Sequence, residues 1–270
     1  MPFKHALAHL SRRALLFAAA SALAGCAGLS GSTGSREIHV MTSGGFTAPY
    51  NELTPQFEKA SGHVIKTAYG ASMGNASDSI PSRLARGEPV DVVILARPAL
   101  DQLVAEGKVV PESQVDLVRS SIGMAVRKGT PKPDISTVEA LKRALLAAPS
   151  IAYSASASGA YYENEMLKKL GIEAQVKPKS RRILSERVGT VVARGDAELG
   201  LQQVSELLPI EGIDFIGVLP PEVQRVTVFS AGISTTARES EAARALIRYF
   251  TSPAAAPIIS KSGLEPLTAR

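Results

Sequence analysis

The sequence predicts an α/β protein of two lobes, each with a mixed sheet, that close on a ligand like a clamshell. Three observations predict this fold class. Strand-like and helix-like segments alternate from residue 37 onward, which is typical of an open α/β sheet. The continuous apolar run at 90–96 is typical of a strand buried on both faces. Two such α/β runs are joined near 115–121 and again near 222–230, so the second is nested within the first.

The first run supplies alternating strands and helices. Pro55 would be costly inside a helix, so the first helix is expected to restart there with Thr54 as its N-cap. Glycines at 62, 87 and 107 mark the ends of the segments. Strands are predicted at 38–41, 64–69 and 90–96, and helices at 46–60, 81–86 and 98–106.

The second run continues the alternation. Ser158 and Ser185 are each predicted to cap a helix that a glycine ends. Strands are predicted at 121–127, 151–154, 198–203, 213–219 and 226–233, and helices at 137–147, 159–170, 185–194, 240–250 and 254–262. We therefore expect lobe 1 to comprise 37–118 and 230–270, and lobe 2 to comprise 119–229.

Residues 1–25 are predicted to be an export signal and not part of the fold. Basic residues precede an apolar stretch at 14–24 that is shorter than a membrane-spanning helix. The stretch ends in Leu-Ala-Gly before Cys26, the sole cysteine of the sequence. It resembles a bacterial lipoprotein signal, which implies that Cys26 carries the lipid. A plain secretory signal with an incidental cysteine is the alternative.

Two further features bear on localisation. The pair Arg12-Arg13, followed by apolar residues, resembles a twin-arginine export signal. Residues 26–36 are rich in Gly and Ser and are predicted to form a flexible tether. We therefore expect a periplasmic lipoprotein that meets the membrane through its lipid anchor only.

The charge of the chain does not indicate a nucleic-acid partner. Removal of the signal takes away Lys4, Arg12 and Arg13 but no acidic residue, which lowers the net charge from +5 to +2. The sequence has no Trp and few other aromatic residues, so stacking platforms for bases are not expected. We expect a monomer.

Three loops of small residues follow predicted strands and precede predicted helices. Hydroxyls and backbone N–H groups in such loops suit an anion. An alternative for each serine is a plain cap or turn residue, but three loops at strand ends of this fold class favour binding. The predicted ligand-binding residues are Ser43, Gly44 and Gly45 in the first loop, Ser72 and Met73 in the second, and Ser154, Ser156, Ser158 and Gly159 in the third.

Arginines near the same predicted cleft would suit carboxylates, because a guanidinium binds them in a bidentate manner. Arg97 directly follows the apolar run, and Arg182 lies in a basic loop of the other lobe. For Arg182 the alternative is a solvated basic loop.

The order and spacing of several short motifs resemble the type II periplasmic solute-binding fold, in its molybdate-binding-protein-like branch. The resemblance spans nearly all of the chain after the signal. The motifs are the strand and loop at 38–45, Phe-Glu-Lys-Ala-Ser-Gly at 57–62, Gly-Ala-Ser at 70–72, Leu-Ala-Arg-Gly-Glu-Pro-Val-Asp-Val-Val at 84–93, Val-Ala-Arg-Gly-Asp-Ala-Glu-Leu-Gly at 192–200, and 242–267.

The chain departs from the molybdate binders at two places. The serine usual after their first strand falls at Gly45, and the tyrosine usual after their late Gly-rich strand is replaced by the run 200–209. Together with 153–159 and 202–207, these features are more similar to the aconitate isomerases of the same fold. That resemblance implies interconversion of trans- and cis-aconitate and adds Gln203 to the ligand-binding residues. The alternative is the receptor of an ABC transporter for an oxyanion or a small organic acid, with a permease as partner.

An aconitate isomerase moves a proton between two carbons and needs an acid–base group. Tyr153, at a strand end beside the third loop, is the predicted proton-transferring residue. Its alternative is a half-buried sheet residue. Further candidates are Tyr69, Tyr161, Glu163 and Glu206. No metal-ligand spacing, phosphate loop or dinucleotide motif is present in the sequence, so we expect no cofactor and no metal.

Overall fold

A computed structural model describes residues 36–267. The predicted signal, most of the tether and the predicted lipidation site Cys26 lie outside the described residues. Within 36–267, no helix combines the length and the apolar character that a membrane crossing requires.

The strands form two mixed sheets, as the sequence predicted. The strands are β1 (Glu37–Ser43), β2 (Val64–Gly70), β3 (Val92–Ala96), β4 (Val115–Ser120), β5 (Ile122–Arg127), β6 (Ile151–Ser154), β7 (Ser180–Ile183), β8 (Leu199–Gln203), β9 (Ile213–Val218), β10 (Thr227–Ile233) and β11 (Leu264–Pro266). The first sheet has the order β11-β4-β10-β3-β1-β2, and the second has the order β7-β6-β8-β5-β9.

Each sheet has a parallel core. In the first sheet β1 is parallel to both β2 and β3, while β4, β10 and β11 pair antiparallel. In the second sheet β6 is parallel to β7 and β8, while β5 pairs antiparallel with β8 and β9. The carboxyl ends of the parallel strands therefore lie together at one edge of each sheet, where ligands of open α/β sheets bind.

Helices cover the sheets and bury their apolar sides. Among the described residues they are α1 (Gly44–Ser61), α2 (Ile80–Ala85), α3 (Arg97–Ala105), α4 (Val138–Ala147), α5 (Ala157–Tyr161), α6 (Leu167–Lys169), α7 (Glu173–Val176), α8 (Val188–Arg194), α9 (Val204–Leu207), α10 (Ser240–Phe250) and α11 (Ala256–Lys261). A π-helical turn at Tyr162–Met166 joins α5 to α6.

Three predicted helix starts differ from the structure. Helix α1 does not restart at Pro55 but runs through it, and the Thr54 hydroxyl donates to the Tyr50 carbonyl instead of capping a new helix. Helix α5 begins with Ser156 as N-cap, two residues before the expected cap Ser158. Helix α8 begins after Arg187, so Ser185 does not cap it. Thr54 and Ser158 form hydrogen bonds with residues four positions earlier, and Ser185 donates to the distant Asp78.

Three strands were not predicted. Strands β4 and β11 pair with each other beside the segment that joins the two sheets, and β7 lies in what the sequence indicated as a basic loop. These strands are short and carry charged side chains on their exposed faces, which hides the alternation that identifies longer strands.

The chain crosses between the sheets after β4 and again before β10. Gln203 joins the two crossings: its Oε1 accepts a hydrogen bond from Ser120 Oγ at 2.8 Å, and its Nε2 donates to Thr227 Oγ1 at 3.1 Å. The predicted lobe boundaries stay a prediction. The strand content of the sheets agrees with these boundaries: the strands of the first sheet lie within 37–120 and 227–266, and those of the second lie within 122–218.

Candidate functional site

A cavity of about 400 Å³ lies where the carboxyl ends of strands from both sheets meet. Its size falls within the range of small-molecule sites. The lining residues are Gly44, Thr47, Asn51, Tyr69, Gly70, Ala71, Asp78, Ser154, Ala155, Ser156, Ile183, Leu184, Ser185, Glu186, Arg187, Gln202 and Glu206. Three of the predicted ligand-binding residues, Gly44, Ser154 and Ser156, are in this set.

The first predicted loop reaches the cavity through Gly44, the first residue of α1. A Cβ atom built on Gly44 would lie 2.0 Å from Glu206 Oε2, so only glycine lets this carboxyl group approach the helix. The start of an 18-residue helix also places the positive end of its dipole at the cavity wall.

Ser43 and Gly45 do not line the cavity. The Ser43 hydroxyl is buried and has no hydrogen-bond partner among residues 36–267, and the same holds for Thr42. A Cβ atom on Gly45 would lie 2.1 Å from the Phe229 ring. Packing against Phe229 therefore gives Gly45 a structural reason, and its predicted role in ligand binding stays a prediction.

The second predicted loop contributes backbone and not its serine. Ser72 is fully buried, and its hydroxyl accepts a hydrogen bond from the Ala96 N–H at 3.0 Å. Met73 packs against an apolar cluster behind the sheet. Gly70 and Ala71 line the cavity instead. Ser72 thus ties this loop to the end of β3.

The third predicted loop lies at the cavity with two of its serines. Ser154 Oγ lies 3.0 Å from Ser158 Oγ and weakly accepts from the Ser156 N–H at 3.4 Å. Ser158 is buried beneath them. A Cβ atom on Gly159 would lie 1.6 Å from the Ser154 carbonyl oxygen, so this glycine permits the turn from β6 into α5.

Arg97 and Gln203 are absent from the lining. Arg97 begins α3, and its guanidinium donates to Asp101 at 2.8 Å and to Asp116 at 2.7 Å. These two carboxylates hold the pKa of Arg97 above its usual value. The side-chain amide of Gln203 accepts a hydrogen bond from Ser120 and donates one to Thr227. Both side chains have structural partners that a sequence does not reveal.

Tyr153 and Arg182 are also absent from the lining. The Tyr153 ring packs on Tyr162, with centroids 5.0 Å apart. Burial raises the pKa of Tyr153 to about 12, with a smaller contribution from Glu163, so Tyr153 is a poor base near neutral pH. Arg182 lies on β7 and donates to the Ala155 carbonyl at 3.4 Å.

Glu206 brings a buried carboxyl group to the cavity lining. Glu206 is 7% exposed, and its carboxyl group lies against Gly44 across the cleft between the sheets. Burial raises the pKa of Glu206 to about 7, although the charge of Arg187 and a hydrogen bond from Gln202 oppose the rise. A carboxyl group with this pKa can take and return a proton near neutral pH.

Arg187 supplies a positive charge to the same cavity. It directly precedes α8, and within residues 36–267 its guanidinium has neither a hydrogen bond nor an ion pair. The other acidic residues of the lining are Asp78 and Glu186, and Glu186 is paired with Arg194 at 2.8 Å. An unpaired guanidinium in a cleft can bind a carboxylate of a ligand.

Sequence reasoning missed Arg187 because it missed β7. Once β7 is known to end at Ile183, residues 184–187 become a loop at the carboxyl end of a parallel strand, which is where binding groups are expected. Thr47 and Asn51 were missed because they lie one and two turns inside α1 and not at a strand end.

The described residues offer no metal site. Within 36–267, no three His, Cys, Asp or Glu side chains are grouped so that they could hold a metal ion.

Comparisons with known proteins give a family and relatives. Residues 38–265 match the profile of the bacterial extracellular solute-binding proteins. An aconitate isomerase from Pseudomonas sp is 46% identical over 233 residues, which cover 86% of this chain and 89% of the relative. The molybdate-binding protein ModA of Azotobacter vinelandii is 28% identical over 239 residues, with coverages of 84% and 89%.

Solved structures agree on the fold. The periplasmic molybdate-binding protein of Azotobacter vinelandii superposes with a TM-score of 0.68 at 19% identity and covers 86% of this chain and 100% of its own. The two resemblances predicted from the motifs are thereby confirmed.

Proposed function

The chain belongs to the bacterial extracellular solute-binding protein family, and from this premise we propose that it is an aconitate isomerase that interconverts trans- and cis-aconitate. The observation that carries the proposal is the carboxyl group of Glu206, buried in the cleft cavity with a pKa near 7. A receptor needs only groups that hold its ligand, whereas an isomerase needs a group that gives and takes a proton. The 46% identity to an aconitate isomerase supports the same choice.

The reaction is an allylic proton shift, and Glu206 can perform both halves of it. As a carboxylate, it takes a proton from the methylene carbon, and the electron pair of that C–H bond spreads toward the conjugated carboxylate. As a carboxylic acid, it returns a proton to the carbon at the far end of the former double bond. The double bond changes position and no atom is gained or lost.

The charges around Glu206 suit a negatively charged intermediate. Arg187 faces the cavity without a partner among the described residues, so it can bind a substrate carboxylate and stabilise the charge that develops on it. Gly44 adds the positive end of α1. We propose that Gly44, Ser154, Ser156 and Arg187 form the binding groups and that the ligand is a tricarboxylate.

The proposed location follows the family. We propose that the protein lies in the periplasm as a monomer, anchored through lipid on Cys26 and exported by a twin-arginine signal; under the alternative receptor function an ABC permease would be its partner. The family profile supports a place outside the cytoplasm, and the N-terminal motifs support the anchor and the export route.

The test is conversion of trans-aconitate to cis-aconitate by the purified protein. We expect turnover by the wild type and a loss of 10²- to 10⁴-fold in kcat for Glu206→Gln, the range for a general base. Glu163→Gln is the matched control, because Glu163 lies outside the cavity lining, and it should retain the wild-type rate. Absence of turnover together with tight binding of molybdate by calorimetry would instead establish an oxyanion receptor.

A further inference from the structure

Gln202, the neighbour of the Gln203 that joins the two crossings, holds Glu206 in one orientation. Gln202 is 3% exposed, at the end of β8. Its side-chain oxygen, Oε1, accepts a hydrogen bond from the Val188 N–H at 3.0 Å. Its Nε2 donates to Glu206 Oε2 at 2.7 Å. One amide thus connects the first residue of α8 to the carboxyl group in the cavity.

Chemistry allows only one orientation of this amide. The backbone N–H of Val188 can donate but not accept, so it requires the oxygen of Gln202. A flipped amide would set two donors against each other at Val188 and a carbonyl against the carboxyl oxygen at Glu206. The Gln202 NH₂ group therefore always faces Glu206 Oε2, and Oε2 acts as an acceptor in both protonation states of Glu206.

The other oxygen of Glu206 is left open. Oε1 makes no hydrogen bond within residues 36–267. Unlike the buried hydroxyls of Thr42 and Ser43, which also lack a partner, Oε1 is not fully buried. Since Glu206 lines the cavity, Oε1 is the oxygen that a bound molecule can reach. A Cβ atom on Gly44 would lie 2.0 Å from Oε2 but 3.2 Å from Oε1, which places Oε1 farther from the helix.

We propose that Gln202 is a positioning residue that reserves Oε2 of Glu206 as an acceptor, so that Oε1 is the oxygen that takes and returns the proton of the substrate. This inference rests on the proposed function. Gln202 does not touch the reacting carbons; it sets which oxygen carries the proton and favours the carboxylate form.

Four other charged or titratable residues line the cavity with Glu206. Arg187 precedes α8, Tyr69 is the penultimate residue of β2, Asp78 precedes α2, and Glu186 is paired with Arg194. Helix α1 has no acidic residue in its first turn. Gln202 is the group that donates a hydrogen bond to Glu206 among the described residues, so its removal should change the titration of Glu206 in a defined direction.

The experiment titrates the Glu206 carboxyl carbon by ¹³C NMR, with Glu206→Gln to assign the signal, and records the pH profile of kcat/KM for aconitate. For Gln202→Leu we expect both the NMR midpoint and the acidic limb to move up by about one pH unit. Gln202→Glu is a second variant that keeps an oxygen for Val188. Gln202→Glu should also move the NMR midpoint and the acidic limb to higher pH, because a second carboxyl group replaces the NH₂ group that donates to Glu206.

Gln203→Leu is the matched control. It removes a neighbouring buried amide with two hydrogen bonds, neither of them to Glu206, so it should lower stability and leave both titrations in place. Folded Gln202 variants with an unchanged NMR midpoint, or an equal shift in Gln203→Leu, would overturn the inference. An NMR shift in a protein that does not convert aconitate would refute the proposed function and still uphold the orientation of Glu206 by Gln202.

Discussion

Single residues in this protein derive their chemistry from neighbours that are distant along the chain. Glu206 has an ordinary sequence context, but Gly44, 162 positions earlier, lies directly against its carboxyl group. Burial then raises its pKa to about 7, and Arg187 and Gln202 only partly reverse the effect. The same residue on a surface would be a fully ionised glutamate with no use in acid–base chemistry near pH 7.

The raised pKa of Glu206 should appear in the pH dependence of stability. The folded state holds the proton more tightly than the unfolded state, whose pKa is near 4.5, so wild-type stability should fall as the pH rises from about 4.5 to 7. Glu206→Gln has no carboxyl group to titrate at this position, so its stability should not show this decrease. The free energy of unfolding of Glu206→Gln should therefore rise relative to that of the wild type by about 3 kcal/mol between pH 4.5 and 7. Urea unfolding at pH 4.5, 6 and 8 measures it. Identical pH dependence of the two proteins would contradict the burial of this charge.

Gly45 is predicted to matter for packing and not for the ligand. Gly45→Ala should destabilise the fold by about 1–3 kcal/mol, because the added carbon would overlap the Phe229 ring. In a Phe229→Leu background the same change should cost less, since the smaller side chain leaves room. Thermal unfolding of the four proteins of this cycle gives the coupling. Additive losses would mean that Phe229 is not the reason for the glycine.

At the scale of elements, helix starts decide what faces the cavity. The chain leaves β7 at Ile183 and does not enter α8 until Val188, which leaves four residues as loop. In that loop Ser185 donates to Asp78 at 3.3 Å across the cleft, and Arg187 reaches the cavity. If α8 had begun at Ser185 as predicted, both side chains would lie on a helix and not at the cavity edge.

Ser185→Ala tests which helix start is right. An N-cap serine contributes about 1 kcal/mol, but Ser185 does not cap α8, so the substitution should change the free energy of unfolding by less than about 0.5 kcal/mol. Thr137→Ala is the matched comparison, because Thr137 caps α4 by accepting from the Ala140 N–H at 3.1 Å, and it should cost about 1 kcal/mol. Equal losses from the two variants in urea unfolding would favour the earlier start.

At the scale of the whole molecule, the site is incomplete without both sheets. Gly44 comes from the first, and Glu206 and Arg187 follow strands of the second. Helix α9, which carries Glu206, also packs on the first lobe: the Ser205 hydroxyl donates to the Gly45 carbonyl at 2.8 Å, and Val204 lies against Gly263. The position of Glu206, the proposed acid–base group, therefore depends on how the two sheets and their helices meet.

Ser205→Ala should loosen that contact. The loss of a buried hydrogen bond should cost about 1–2 kcal/mol and should weaken aconitate turnover, because Glu206 is the next residue. Ser252→Ala is the control, since the Ser252 hydroxyl donates to the Tyr249 carbonyl within the first lobe alone. Urea unfolding, small-angle scattering and the turnover assay distinguish the two. Matching effects on turnover would show that the interlobe bond does not position Glu206.

The sequence by itself determined the fold class and the family, because both follow from the order of strands, helices and loops along the chain. It also determined that small and polar residues follow the strands that form the cleft, which identified Gly44, Ser154 and Ser156. The tertiary structure decided which of the remaining polar side chains form hydrogen bonds within the protein. Ser72, Arg97 and Gln203 have hydrogen-bond partners 24, 19 and 83 positions away along the chain. It also decided that Glu206, one of five candidates, lines the cavity with a raised pKa while Tyr153 does not line it, and this is why we propose Glu206 as the acid–base group. The physical reason is that a pKa near 7 arises from burial, and burial is set by segments that meet only after the chain has folded.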